Sequence, residues 1–205
     1  MQGQAKGTFP TSLIRKTDQE RIQNMFRDIE ARSDSGYEVT MKLDGSYCTI
    51  FRYEGELRVC SRNMELKINE ENADNTFVRM ALKIGDRIPD GYAFQGEIMG
   101  PGIQGNREGF KEHRFFLFDV FDIGEYSYLT PEARRHLADV LDIEHVPVIA
   151  EIAPRPESVE AALKSVDKLK SMVHPIAEGV VFKSNDDPSF SFKVISNRFL
   201  LKGGE

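Results

Sequence analysis

Residues 37–60 read Tyr-Glu-Val-Thr-Met-Lys-Leu-Asp-Gly-Ser-Tyr-Cys-Thr-Ile-Phe-Arg-Tyr-Glu-Gly-Glu-Leu-Arg-Val-Cys, and this stretch decides the fold class. From Tyr37 onward the apolar spacing is that of strands, rich in β-branched and aromatic residues. Ser46–Tyr53 reads as one strand, Glu54-Gly55 as a turn and Glu56–Cys60 as the returning strand of a hairpin. Between the first apolar strand and this hairpin lies Lys42-Leu43-Asp44-Gly45.

Upstream, Thr17-Asp18-Gln19-Glu20 has the form of a capping box, and Ile22, Met25, Phe26 and Ile29 come after it at helical spacing. The pattern predicts a helix of about four turns ending near residues 33–36. Downstream, a short helix is expected at Phe77–Ile84, a strand at Ala93–Met99 and a Gly/Pro-rich loop at Gly100–Gly109. Phe115–Ile123 is apolar at nearly every position, so it reads as a strand buried on both faces. Thr130-Pro131-Glu132 opens a helix, with proline at the first helical position. A strand at His145–Ile152, a helix over about residues 156–172 and strands at Gly179–Lys183 and Ser191–Ile195 complete the chain. Strands dominate and the alternation is not regularly βαβ, which implies an α+β fold with antiparallel sheets. No repeat or linker divides the sequence, so residues 1–205 are expected to form a single domain.

Composition sets outer bounds. With 40% apolar and 29% charged residues the chain is an ordinary globular sequence able to bury a core. No apolar run is long enough for a membrane span, and residues Met1–Pro10 are polar and glycine-rich, unlike a secretory signal. Cys48 and Cys60 lie in expected strands and read as reduced thiols, which points to the cytoplasm or nucleus. The four histidines show no ligand spacing, so no zinc is assigned. A net charge of −6 argues against coating nucleic acid by bulk electrostatics, though not against a local basic groove.

Lys42 is the candidate nucleophile. A lysine attacks only when neutral, so its site must supply nearby positive charge, metal or desolvation. Asp44, two residues on, would share a side of an extended strand with it, and Gly45 would allow a turn and the close approach of a phosphate. Taken alone the motif also fits a surface Lys–Asp pair at a strand end. The order of the polar clusters downstream narrows the choice: Ser61-Arg62-Asn63, Gln95-Gly96-Glu97, Phe115–Asp119, Glu178–Lys183 and Phe192-Lys193-Val194.

That series resembles the covalent nucleotidyltransferase superfamily of polynucleotide ligases and mRNA capping enzymes, over about Lys16 to Lys202. Lys16–Asn24, Gly100–Asn106 and Ser191–Asn197 look like the fifth RNA-ligase family, an ATP-dependent group that seals nicks carrying a 3′-OH and a 5′-phosphate. The resemblance implies a nucleotidyltransferase domain of ligase type. Lys42 would attack the ATP α-phosphate and carry AMP, with Mg or Mn as the metal. Asp44 and Glu178 would hold the metal, and Glu97 would accept a ribose hydroxyl. Phe118 would stack on adenine, Arg62 would contact the ribose or the nick 5′-phosphate, and Lys193, helped by Lys183, would contact the α-phosphate and suppress protonation of Lys42. Arg21, on the first helix, would reach the pyrophosphate.

Each residue alone has a plainer reading: a solvated turn for Arg62, an edge charge for Glu97, core for Phe118, an edge lysine for Lys193, a surface pair with Glu20 or Asp18 for Arg21. The implied substrate is nicked duplex RNA or RNA/DNA, acted on by a monomer. Two departures from the family pattern stand out. Ile195 occupies the place of a second lysine after Lys193, and neither end of the chain offers room for an OB module. A DNA ligase core, a guanylyltransferase core and an inactive RNA-binding module of the same fold are the alternatives.

Overall fold

A computed structural model describes residues 3–202; Met1, Gln2 and Gly203–Glu205, at the ends of the expected 1–205 domain, lie outside the described residues. The chain forms two sheets. Strands β1 (Ala5–Thr8), β4 (Ser46–Tyr53), β5 (Glu56–Cys60), β6 (Met64–Leu66), β7 (Tyr92–Met99), β8 (Arg114–Asp122) and β9 (Ser127–Tyr128) make a seven-stranded antiparallel sheet in the order β1-β6-β5-β4-β7-β8-β9. Strands β2 (Glu20–Arg21), β3 (Tyr37–Lys42), β10 (Val148–Ala153), β11 (Gly179–Ser184) and β12 (Ser191–Ile195) make a five-stranded sheet in the order β10-β3-β11-β12-β2. This second sheet is antiparallel except where β2 runs parallel to β12. The class is α+β, as the strand-rich and irregular element order implies.

Alternation along the strands separates core from cleft. In the five-stranded sheet Tyr37, Val39, Val180, Phe192 and Val194 pack under α1 (Ile22–Ala31) and α4 (Val159–Val166). The opposite face carries Glu38, Thr40 and Lys42 of β3, beside Val181 and Lys183 of β11 and Lys193 of β12. In the larger sheet Ile50, Phe94, Ile98, Phe115 and Leu117 pack against α2 (Thr76–Ile84) and α3 (Pro131–Val140). Its other face presents Tyr47, Gln95 and Glu97 in facing register. The cleft lies between these two polar faces.

The β7–β8 ladder contains one extra residue. Gln95 pairs with Asp119 and Gly96 with Leu117, leaving Phe118 bulged between them. The bulge lets neighbouring Phe118 and Asp119 both reach cleft partners, Tyr47 for the ring and Thr17 for the carboxylate.

Several expectations are corrected. The first helix begins at Ile22 after an Arg21 N-cap that makes no side-chain hydrogen bond, so Thr17–Glu20 is no capping box. Glu20 and Arg21 pair with β12 instead, and the Thr17 hydroxyl is engaged with Gln95, Asp119 and Tyr128. The helix is accordingly ten residues long, shorter than four turns. The helix expected over 156–172 ends at Val166, because Asp167 turns to accept hydrogen bonds from Ser196, Asn197 and Arg198 at the start of α5 (Asn197–Leu201). The strand expected from His145 begins at Val148.

Cys60 pairs with Thr49 and so faces the opposite side of the sheet from Cys48. Both thiols are free and buried, and burial raises both above the usual thiol range.

Candidate active site

Strand β3 ends at Lys42, and the chain leaves the sheet through Leu43 and Asp44 before β4 begins at Ser46. Asp44 therefore does not share a strand with Lys42, contrary to expectation, although both side chains line the cleft. Gly45 is required for a different reason than a turn. A Cβ here would lie 2.5 Å from the Ile98 carbonyl oxygen and 2.8 Å from Glu97 Cγ, so only glycine lets the loop lie against β7. The close approach is to this strand, and through it the Gly45 N–H donates to Glu97 Oε1 at 3.2 Å.

The cleft has a volume of about 530 Å³. Lys42, Asp44, Arg62, Glu97, Phe118, Lys183 and Lys193 line it. Glu178 precedes β11, and its Oε1 accepts from Lys42 Nζ at 2.8 Å. Gly179, next to it, pairs with Lys42 across β3–β11; a Cβ there would lie 2.1 Å from the Val194 carbonyl oxygen. The glycine thus seats Glu178 tightly against β12.

Arg21 stands apart. It lies on β2 beside Lys193 rather than on the helix, is exposed, and is not among the cleft-lining residues. It pairs with neither Glu20 nor Asp18, since Asn24 donates to Glu20 and Arg62 to Asp18 at 3.1 Å. Ile195, in the position of the missing second lysine, is buried opposite Gly179.

Electrostatics at the centre run against one expectation. Burial works to lower the pKa of Lys42, but Glu178, Glu97 and Asp44 together outweigh it and leave the lysine raised. Lys183 does not assist by facing Lys42: it is buried and ion-paired with Asp119, and burial pushes it down to about 7. Burial raises Glu97 to about 7 against the attraction of Lys42. Asp44 and Glu178 are raised by burial too, Asp44 against the pull of Arg107 and Lys42 and Glu178 mainly against that of Lys42. The centre is therefore over-supplied with buried acid, the condition a cation relieves.

A family model for RNA ligase matches residues 36–195, from the start of β3 to the end of β12. The chain belongs to the RNA ligase family. Among solved structures it is similar to Naegleria gruberi RNA ligase. One mutant with ATP and Mn is 37% identical at a TM-score of 0.82, covering 98% of this chain and 60% of that one. A second mutant with AMP and Mn is 38% identical at a TM-score of 0.81, covering 97% and 60%. The form with PPi is 38% identical at a TM-score of 0.80, covering 98% and 60%. This chain spans about 60% of the length of those structures. No curated protein matches the sequence.

In and beside this RNA ligase cleft lie further residues with little or no sequence signal. Glu38 and Arg134 are buried partners at the cleft wall, with Arg135 also on Glu38. Thr17 joins Asp119 and Gln95 on the opposite wall. Arg107, from the Gly100–Gly109 loop, comes within 3.9 Å of Asp44. Asp119 closes the Phe115–Asp119 cluster, whereas Arg107 and Arg134 belong to no local pattern.

Proposed function

We propose that this chain is the catalytic core of an ATP-dependent RNA ligase of the fifth-family type, in which Lys42 becomes covalently joined to AMP. The observation that carries this reading is the placement of Lys42 against Glu178, beside Asp44 and Glu97, in a nucleotide-sized cleft of an RNA ligase family member. ATP, AMP and PPi, bound by the Naegleria enzyme, are the substrate, the transferred group and the leaving group of the same step.

Lys42 Nζ attacks the α-phosphorus, an N–P bond forms as the bond to the β-phosphate oxygen breaks, and pyrophosphate departs. Lys42 must shed a proton first, and Glu178 Oε1 at 2.8 Å is the adjacent acceptor. Glu97 accepts a ribose hydroxyl while its bond from Gly45 fixes the nucleophile loop. Phe118 offers a ring face to the base, and Lys193 meets the α-phosphate. Arg62 at the cleft rim would release Asp18 to meet the ribose or the nick phosphate. Arg21, outside the cleft, would reach only a pyrophosphate already leaving.

Asp44 and Glu178 fit a hard divalent ion such as Mg or Mn. Both carboxylates, with Glu97, are the acids that hold Lys42 charged, so positive charge of this kind has a place among them. Among the described residues no three His, Cys, Asp or Glu side chains are arranged to hold an ion alone. Two carboxylates with the remaining positions left to water and phosphate suit Mg, which dehydrates reluctantly. When bound, the ion supplies positive charge against the phosphates and the acids around Lys42.

In later steps AMP passes to a 5′-phosphate end, and a 3′-OH attacks that end, releasing AMP. The substrate is a nicked duplex with RNA on the 3′-OH side, and the enzyme acts as a monomer. Free buried thiols support an intracellular location, cytoplasmic or nuclear; no described helix is long and apolar enough to cross a membrane. The test is incubation with α-labelled ATP and Mg or Mn, then denaturing electrophoresis. Acid-labile label on the protein is the expected result, and its absence overturns the reading.

A further inference from the structure

Three side-chain atoms among the described residues are buried without a hydrogen-bond partner, and two of them, Glu178 Oε2 and Arg107 Nε, belong to residues around the same place. One is an acceptor and the other a donor. Their residues border a small, partly open chamber of about 10 Å³, together with Asp44, Glu108 and Ser171 and the apolar Met99 and Ile176. That volume holds about one water molecule, and a polar chamber of this size with unmet groups on its wall is where buried water binds. The residues around it are rigidly placed. The Arg107 side chain is only 8% exposed, its guanidinium lies over the Phe199 ring at 4.6 Å, and its Nη2 meets His174 Nδ1 at 3.2 Å. Glu108 ties the same loop down by accepting from Ser171 and from the Val173 and His174 N–H groups.

We propose that Arg107 is a positioning residue for the nucleophile: through one water held in this chamber it fixes Glu178, while its charge faces Asp44. Glu178 has two oxygens, and only one can grip Lys42. Nε donating to the water, and the water donating to Oε2, would leave Oε1 aimed at Lys42 Nζ. Leaving a buried acceptor unpaired is unfavourable, so the water is retained. Arg107 also stands 3.9 Å from Asp44, a gap too wide for a direct hydrogen bond but close enough to offset its charge. The loop Gly100–Gly109 thereby holds both acids of the centre from outside the strands.

The role in catalysis rests on the adenylylation reading; the water does not, and the tests are separate. A high-resolution crystal structure of the wild-type protein is expected to show one ordered water within hydrogen-bond distance of both Arg107 Nε and Glu178 Oε2. An empty chamber overturns the proposal whatever the activity. In single-turnover adenylylation, Arg107→Ala is expected to raise the half-saturating Mn concentration about tenfold or more, the usual scale for losing a residue behind a metal ligand. Added guanidinium should restore part of that loss, and a merely structural role would not respond to it. If Arg107→Ala does not fold, Arg107→Lys carries the test, since it keeps the charge but lacks Nε. Wild-type metal dependence in a folded variant overturns the positioning role. A wild-type protein that forms no lysyl-AMP defeats the ligase reading instead, and the crystal structure still decides the water.

Discussion

Lys42 Nζ lies 2.8 Å from Glu178 Oε1 across the end of the β3–β11 pair, and this contact, with Glu97 and Asp44 nearby, holds the lysine in its charged form. The candidate nucleophile is therefore expected to shed its proton only when nucleotide and cation change the balance of charge around it.

The first prediction is that Lys42→Ala abolishes self-adenylylation while the fold survives. Lys42 is partly exposed at a strand end, so its loss leaves the sheet pairing intact. Circular dichroism should be unchanged and label transfer lost. Undiminished label in a folded variant would assign the nucleophile elsewhere.

Divalent cation should be essential. Without one, Asp44 and Glu178 repel a triphosphate and bind Lys42 as its ammonium. Chelator is expected to stop label transfer, and Mg or Mn to restore it. Transfer that persists in chelator would contradict the roles given to both acids.

Glu97 ties function to pH and to stability. Burial raises its pKa from 4.5 to about 7, so the native state resists giving up that proton. A carboxylate raised in this way costs the fold stability as pH climbs from about 4.5 through about 7. At pH 8 the cost is at most about 3–4 kcal/mol, from about 1.4 kcal/mol per pH unit between 4.5 and about 7. Glu97→Gln keeps an acceptor for the Gly45 N–H but has no proton to lose. It should raise the melting temperature at pH 8, hardly change it at pH 5, and slow adenylylation. A melting temperature that does not rise at pH 8 would refute the buried-acid account.

The buried pair Glu38–Arg134 makes a purely structural prediction. Both side chains are almost fully buried, with a hydrogen bond of 2.9 Å between them, and burial pulls the Arg134 pKa down to about 10. Arg134→Met strands Glu38 with only the part-exposed Arg135 and should cost about 3–5 kcal/mol. The exposed pair Arg114–Glu144 is the control, at less than about 1 kcal/mol for Arg114→Ala. Equal losses for the two variants, read by urea denaturation, would remove the special weight given to Glu38.

Features were legible in the sequence to the extent that their signals are local. Strand-like spacing placed β4, β5 and β7, a continuous apolar run placed β8, and Thr130-Pro131 placed α3, because those cues lie within a few residues. Lys42, Glu97, Glu178 and Lys193 stand out as members of one ordered series of polar clusters. Arg134 and Thr17 do not, since each reaches the cleft only through long-range packing, and Arg107 does not, since only the fold of its loop brings it to Asp44. The Thr17–Glu20 signal misled for the same reason: an edge place beside β12 took Glu20 and Arg21 before the helix began. The raised pKa of Lys42 was beyond reach as well, because it depends on three acids brought together from β7, the start of β11 and the loop after β3.

The last prediction concerns nucleic acid. With a net charge of −6, most of the surface repels phosphates, so binding to a nick must rest on a few cations near the cleft, Arg62 and Lys193 among them. Arg62 is more than half exposed and held only by Asp18, free to turn toward a phosphate. Binding to a nicked duplex should then weaken with salt by a slope of roughly three to five released ions. Self-adenylylation needs only ATP and cation, and should survive salt that already stops sealing. Arg62→Ala should reduce the slope by about one ion; lysyl-AMP formation left intact would place Arg62 on the nick phosphate, and its loss would place it on the ribose. Sealing as efficient and as salt-resistant as adenylylation would show that the domain carries a complete nucleic-acid groove of its own.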